Sequence, residues 1–348
     1  MATIQENIDR IKQAKDELKA KLIEKGVSIP ENATIEQYAE LAETIKAEEW
    51  PKKVRFYAYH NGKPLGTKNL YWDISTTDGS DAKTGYSTMP VYDTNIKAIK
   101  VRCATGTYSS FVVEGGENLT TGKYMFAGEY QYGSNFTNID VSKLYTSNMT
   151  NMSHMFYSCS GVTSLDVTNF DTSKVTRMDC MFSDCKNLTT LDVSKFNTSN
   201  VTYAVEMFSD CNNLKAIDIS NFDLSKNTDF SKMFDGCKSL EYLDLSGLDT
   251  TNHNCNNLEY HHFFDSSQNA SGWHIKDIKV SEKTFRAKIL RKYTFYVDSW
   301  TDTDSLQRFV EALPTNTSTK TLGFHANTKN ALTDGQKAII ASKNWAIE

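Results

Sequence analysis

Through the middle of the chain the apolar positions return in register every 26 residues. Met155-Phe156, Met181-Phe182, Met207-Phe208 and Met233-Phe234 mark the period, each pair followed three residues on by Cys159, Cys185, Cys211 and Cys237. Leu165, Leu191, Ile217 and Leu243 fill a second column; Val162, Leu188, Leu214 and Leu240 a third; Phe170, Phe196, Phe222 and Leu248 a fourth. Several columns at one period of this size predict a stack of coils, each burying its apolar side against its neighbours. A stack offers a rigid extended surface, which suits display and binding. The polar positions keep the same register. Asp140, Asp166, Asp192, Asp218 and Asp244 form a column expected to accept backbone N–H groups at strand ends, with a bound cation as the alternative. Ser142, Thr168, Ser194, Ser220 and Ser246 beside them read as stacked hydroxyls closing corners.

Outside the array the pattern changes. Ile4, Ile8, Ile11, Leu18 and Leu22 predict a coiled-coil seam that ends at Gly26, and Ile35, Tyr38, Leu41, Ala42 and Ile45 a second helix. Val54 to Tyr59 alternates like a strand and runs into Asn61-Gly62, a hairpin turn. Leu70 to Ile74 reads as another strand. Towards the end, 275–280 and 293–297 read as strands, and Leu306, Phe309, Val310 and Leu313 as a helical stripe after Asp304…Gln307. Thr333…Gln336 predicts the start of a last short helix, and Trp345 an anchor for the terminus. The expected fold is therefore mixed α and β. It comprises a helical hairpin or coiled coil at 1–50, a small β module at 51–115, a solenoid of 26-residue repeats at 116–274 with ragged capping repeats, and an α/β cap at 275–348.

Charge adds little. A net charge of −5 argues against a general nucleic-acid binder. No apolar run is long enough to span a bilayer, and the N-terminus lacks the apolar core of a secretion signal. The seven cysteines read as reduced thiols, those in the repeat column as small buried hydrophobes. His253, Cys255, His261 and His262 gather near the last ragged repeat in no recognised metal-binding spacing, so no metal site and no cofactor is expected.

The unit at 191–214, Leu-Asp-Val-Ser-x-Phe-x-Thr-Ser-x-Val-Thr-x-x-x-x-Met-Phe-x-x-Cys-x-x-Leu, resembles the BspA-type leucine-rich repeat of bacterial surface proteins. Ala204-Val205-Glu206 and Asn227 depart from its pattern. The resemblance implies a solenoid with adhesive or ligand-binding roles, towards glycans or host proteins. Residues 3–45 resemble the N-terminal module of phage tail, baseplate and head-fibre proteins, and 332–345 the C-terminus of repeat proteins in phages of gut bacteria.

Together these point to a non-enzymatic phage structural protein located in the virion. It is expected to be a homotrimer joined to other virion proteins through residues 1–50, with its repeats facing a bacterial surface glycan or protein. The alternatives are a bacterial cell-surface adhesin of the same repeat family, or an architectural virion spacer. No GxSxG, P-loop or HExxH motif offers a foothold for catalysis. Receptor-contact candidates are large side chains that break the repeat pattern: Tyr157, Arg177, Tyr203, Tyr242, Tyr260, His261 and Trp273.

Overall fold

The structure, a computed structural model, describes 110–128, 136–250, 273–285, 292–295 and 297–348, together with the backbone of strands at 54–60, 63–64, 70–75, 83–86, 98–103 and 260–262. Strands β1 (Val54–His60) and β2 (Lys63–Pro64) pair antiparallel on either side of Asn61-Gly62. Strands β3 (Leu70–Ser75), β4 (Lys83–Tyr86) and β5 (Ala98–Cys103) make a second antiparallel sheet. Strand β6 (Ser110–Gly115) is the junction. It pairs antiparallel with β1 on one side and parallel with β7 (Ile139–Leu144) on the other, so one sheet carries the chain into the coils.

From there each coil contributes a rung of only two or three residues. Strands β8 (Ser164–Leu165) and β9 (Thr190–Leu191) pair in parallel, as do β10 (Ala216–Asp218) and β11 (Tyr242–Asp244). The rungs are short because each runs straight into a turn. The Val167 and Val193 carbonyls accept from the Phe170 and Phe196 N–H at 3.0 Å, which swings the next ring into the interior. On another side Thr121, Asn151, Arg177, Tyr203 and Asp229 form a second parallel ladder of single bridges.

Between that ladder and the cysteines lies the Met-Phe segment, built from two consecutive turns. Met178 carbonyl to Met181 N–H closes one at 3.2 Å and Phe182 carbonyl to Cys185 N–H the next at 3.3 Å. The third residue of each has positive φ, Cys180 at 51° and Asp184 at 65°, as a type II turn requires. The same geometry recurs at His154 and Ser158, and at Glu206 and Asp210. Successive segments are stitched together: Phe156, Phe182 and Phe208 N–H donate to the Met181, Met207 and Met233 carbonyls of the next coil at 2.9–3.0 Å.

This stitching stacks Phe126, Phe156, Phe182, Phe208 and Phe234 with centroids 5.2–5.7 Å apart. All five are fully buried. Cys159, Cys185, Cys211 and Cys237 are buried free thiols, as expected, and each S–H donates to the Phe carbonyl one coil back at 3.0–3.3 Å. Burial pushes the Cys185 thiol well above its ordinary value, and the Cys237 side chain together with burial does the same to Cys211.

The C-terminal region continues the parallel stack. Strand β12 (Tyr260–His262) pairs parallel with β14 (Lys292–Phe295), while β13 (Asp277–Lys279) adds to β11. Strands β15 (Lys320–Phe324) and β16 (Trp345–Ile347) then extend the sheet of β14. Helices α1 (Thr303–Ala312), α2 (Ala326–Ala331) and α3 (Asp334–Ser342) replace the turn segments of the earlier coils. Thr333 and Gln336 form the expected capping box of α3, whereas α1 is capped by Asp302 rather than started at Asp304. Trp345 anchors the end, buried and donating to the Pro314 carbonyl at 2.9 Å.

The expected fold class is thus corrected. Among the described residues the protein is built mainly of small parallel sheets, its three α-helices all follow residue 302, and no coiled coil is present. Ile4, Ile8, Ile11, Leu18 and Leu22, on which the coiled coil rested, lie outside the described residues.

Candidate functional site

Two faces of the stack carry side chains that depart from the repeat. The first is the strand face of β8, β9, β10, β11 and β13. Along each rung the middle residue points inward, so Leu165, Leu191, Ile217 and Leu243 are buried while the residues flanking them are outward. One outward row runs Ser164, Thr190, Ala216, Tyr242 and Asp277; the other runs Asp166, Asp192, Asp218, Asp244 and Lys279. Ala216 is the smallest side chain of its row and Tyr242 the largest, and beside this step lies a shallow hollow of about 420 Å³. A neighbouring depression of about 470 Å³ spans Ser164, Asp166, Thr190 and Asp192, and the two share Leu191 and Ala216.

The Asp column behaves as its spacing suggested. Oδ1 of Asp140, Asp166, Asp192, Asp218 and Asp244 accepts from the N–H two residues on, at 2.9–3.0 Å. Thr168 and Ser246 each donate back to the carboxylate of their own coil, at 2.6 and 2.5 Å. Hydrogen bonds from Thr168, Ser194 and Ser220 hold Asp166, Asp192 and Asp218 below the usual carboxylate range, so these three are anionic at neutral pH.

Around Tyr242 the charges are balanced in pairs. Lys276 meets Glu241 at 2.8 Å, Lys279 meets Asp244 at 3.6 Å, and Arg308 meets Asp277 at 3.1 Å. The Lys276 ammonium also lies 5.9 Å from the centre of the Tyr242 ring. Tyr242 is nonetheless 54% exposed, the most open of the large apolar side chains among the described residues.

The second face is the bridge ladder. It brings Arg177 and Tyr203 together, with the guanidinium 4.8 Å from the ring centre. Arg177 also donates through Nε to Asp179 at 2.9 Å, and Asp179 accepts from the Ser153 hydroxyl at 3.0 Å. One coil back, Tyr157 is half-buried against His154, whose ring also meets Tyr124 at 4.6 Å. Burial lowers the His154 pKa, outweighing the attraction of Asp179. Cys180, half-buried beside Glu206, has its thiol pushed up to about 12 by burial and by that carboxylate.

The structure therefore splits the expected contact residues. Arg177 and Tyr203 share the bridge ladder with Tyr157 nearby, while Tyr242 stands on the strand face. Tyr260 and His261 belong to β12, of which only the backbone is described. Trp273 is 3% exposed and packs in the core, so it presents no surface to a receptor. The Ala216 hollow had a sequence signal, a small residue where the row otherwise carries Ser, Thr or Tyr, but the sequence did not show that Tyr242 would stand beside it. Among the described residues no group of three His, Cys, Asp or Glu side chains is placed to hold a metal ion. His253 and Cys255 lie outside the described residues, and His261 and His262 are described in backbone only.

A stacked parallel-coil scaffold with short outward rungs is the class of protein that this geometry defines. The chain belongs to the DUF285 family, described as "Mycoplasma protein of unknown function", whose model matches residues 120–243 and 209–320. Membership accords with the BspA-type repeat, and the second match ends at residue 320, beyond α1. No curated protein and no solved structure matches the chain.

Proposed function

We propose that this protein is a non-catalytic display scaffold of a phage virion whose outward residues bind a glycan or protein on a bacterial surface. The observation that carries the reading is the placement of Arg177, Tyr203 and Tyr242. These are large exposed side chains held on rigid ladders where the repeat itself demands no such residue. Tyr gives large contact area for little entropy lost and Arg is enriched at binding hot spots, as recognition surfaces need. Under this reading residues 1–50 join other virion proteins, and light scattering of the full chain gives the mass of a trimer.

A second reading, a bacterial cell-surface protein, is favoured by the family description, which names Mycoplasma. Peptide mass spectrometry of purified virions and of surface-labelled cells separates the two. The shared claim of receptor binding is tested with fluorescent full-length chain on intact cells of a panel of bacterial strains. Saturable retention on at least one strain is expected. An architectural spacer is retained by none.

A further inference from the structure

We propose that the hollow between Ala216 and Tyr242 on the strand face is a subsite for one uncharged saccharide ring, a deepening of the receptor-binding reading on which it rests. The hollow has three chemically distinct parts. The exposed ring of Tyr242 forms one wall, Ala216 leaves the space beside it, and Leu191 and Ile217 lie beneath. Asp218 and Asp244 edge the opposite side. Asp218 accepts from the Ser220 N–H through Oδ1 and is exposed at this edge.

Charge selects the occupant. The cations near Tyr242 are already committed, Lys276 to Glu241, Lys279 to Asp244 and Arg308 to Asp277. An anionic ligand would face Asp218 and Asp192 and compete with carboxylates for Lys276, Lys279 and Arg308. A cationic ligand would meet Lys276 already on the Tyr242 ring. A neutral ligand disturbs none of these pairs. It must still offer an apolar face to Tyr242 and hydroxyl donors to the Asp218 carboxylate. A pyranose ring has both: axial C–H groups make one face apolar, and equatorial hydroxyls radiate from its edge. The hollow of about 420 Å³ lies at the lower end of small-ligand sites and suits one ring with part of a second. The adjoining depression along Thr190 and Asp192 would receive that second ring.

The test uses the full-length chain and ligand-observed saturation-transfer NMR with neutral glucose-, galactose- and mannose-based trisaccharides. Tyr242→Ala removes the wall and Ala216→Phe fills the space. Both positions are exposed, and melting curves verify that the coils remain intact. Tyr203→Ala, on the other ladder, serves as the control. Transfer to at least one trisaccharide is expected, with affinity falling at least about tenfold in both strand-face variants and unchanged in the control. The proposal is overturned if no neutral trisaccharide receives transfer, if Tyr242→Ala binds like wild type, or if a lysine-rich or sialylated probe occupies the site in preference. Cell retention that survives Tyr242→Ala would sink the saccharide subsite alone; retention absent from the wild-type chain sinks the receptor-binding reading itself.

Discussion

At the scale of single residues, the coils expose their tolerances where the repeat is broken. Asn227 stands where Val175 and Val201 stand in the preceding coils, and all three are fully buried. Its side-chain oxygen and nitrogen have no hydrogen-bond partner among the described residues. A buried unsatisfied amide costs about 1–3 kcal/mol. Asn227→Val is therefore expected to stabilise the protein by about that amount in urea unfolding. Gly247 shows the opposite constraint. A Cβ there would fall 1.7 Å from the Ser220 carbonyl oxygen of the preceding coil, so Gly247→Ala must push two backbones apart. A loss of about 1–3 kcal/mol or more is expected in the same measurement.

The corner carboxylates set the response to acid. Asp171 and Asp223 lie below the usual range because the Ser173 and Ser225 groups donate to them. A lowered folded-state pKa contributes stability above the unfolded value of about 4, and this is lost as pH falls through the folded value. Asn197 occupies the same column and accepts from the Ser199 N–H at 3.1 Å, so an amide can hold this corner. Asp223→Asn should thus melt near wild type at neutral pH but lose less stability than wild type on acidification below about pH 4, as followed by thermal unfolding across pH.

At the scale of elements, stability resides in columns rather than in strands. Rungs of two or three residues form few backbone bonds, so the Met-Phe segments and the stacked rings must hold neighbouring coils together. Phe182 stacks on Phe156 and Phe208 at 5.5 and 5.7 Å. Phe182→Ala removes both contacts and leaves a cavity, and a loss of about 3–5 kcal/mol is expected in denaturant unfolding. The break at Ala204 is gentler because of its column. That column runs Met178, Ala204 and Phe230, all buried, so the largest residue follows the smallest and overall volume is kept. The columns were legible because burial between identical neighbours imposes one residue type per position. The left-handed turns were not, because His154, Cys180, Glu206 and Lys232 adopt positive φ without the glycine that announces it. Only Gly236 carries that signal. The Cys and Asp columns were read correctly from burial propensity and turn chemistry, while the donors to the thiol and carboxylate groups needed coordinates.

At the scale of the whole molecule, parallel pairing recurs among the described residues from β6 to β16 while the segments between the rungs change. Turn segments serve up to residue 250, and helices α1, α2 and α3 take their place beyond 302. The helical period hides from the sequence the parallel pairing of β14, β15 and β16, whose spacing is no longer 26 residues. Likewise the contact residues were legible as outliers from a consensus, but not their grouping, since Arg177 and Tyr203 share one ladder and Tyr242 another. The claim that these outliers are the working surface is tested most directly by one comparison. Full-length protein and an Arg177→Ala, Tyr203→Ser, Tyr242→Ser variant are matched for melting temperature and titrated onto the same intact bacterial cells. Binding at least about tenfold weaker in the variant is the result expected of a receptor-binding surface. Equal binding by the two proteins would contradict it and leave the coils as a spacer for some other part of the chain.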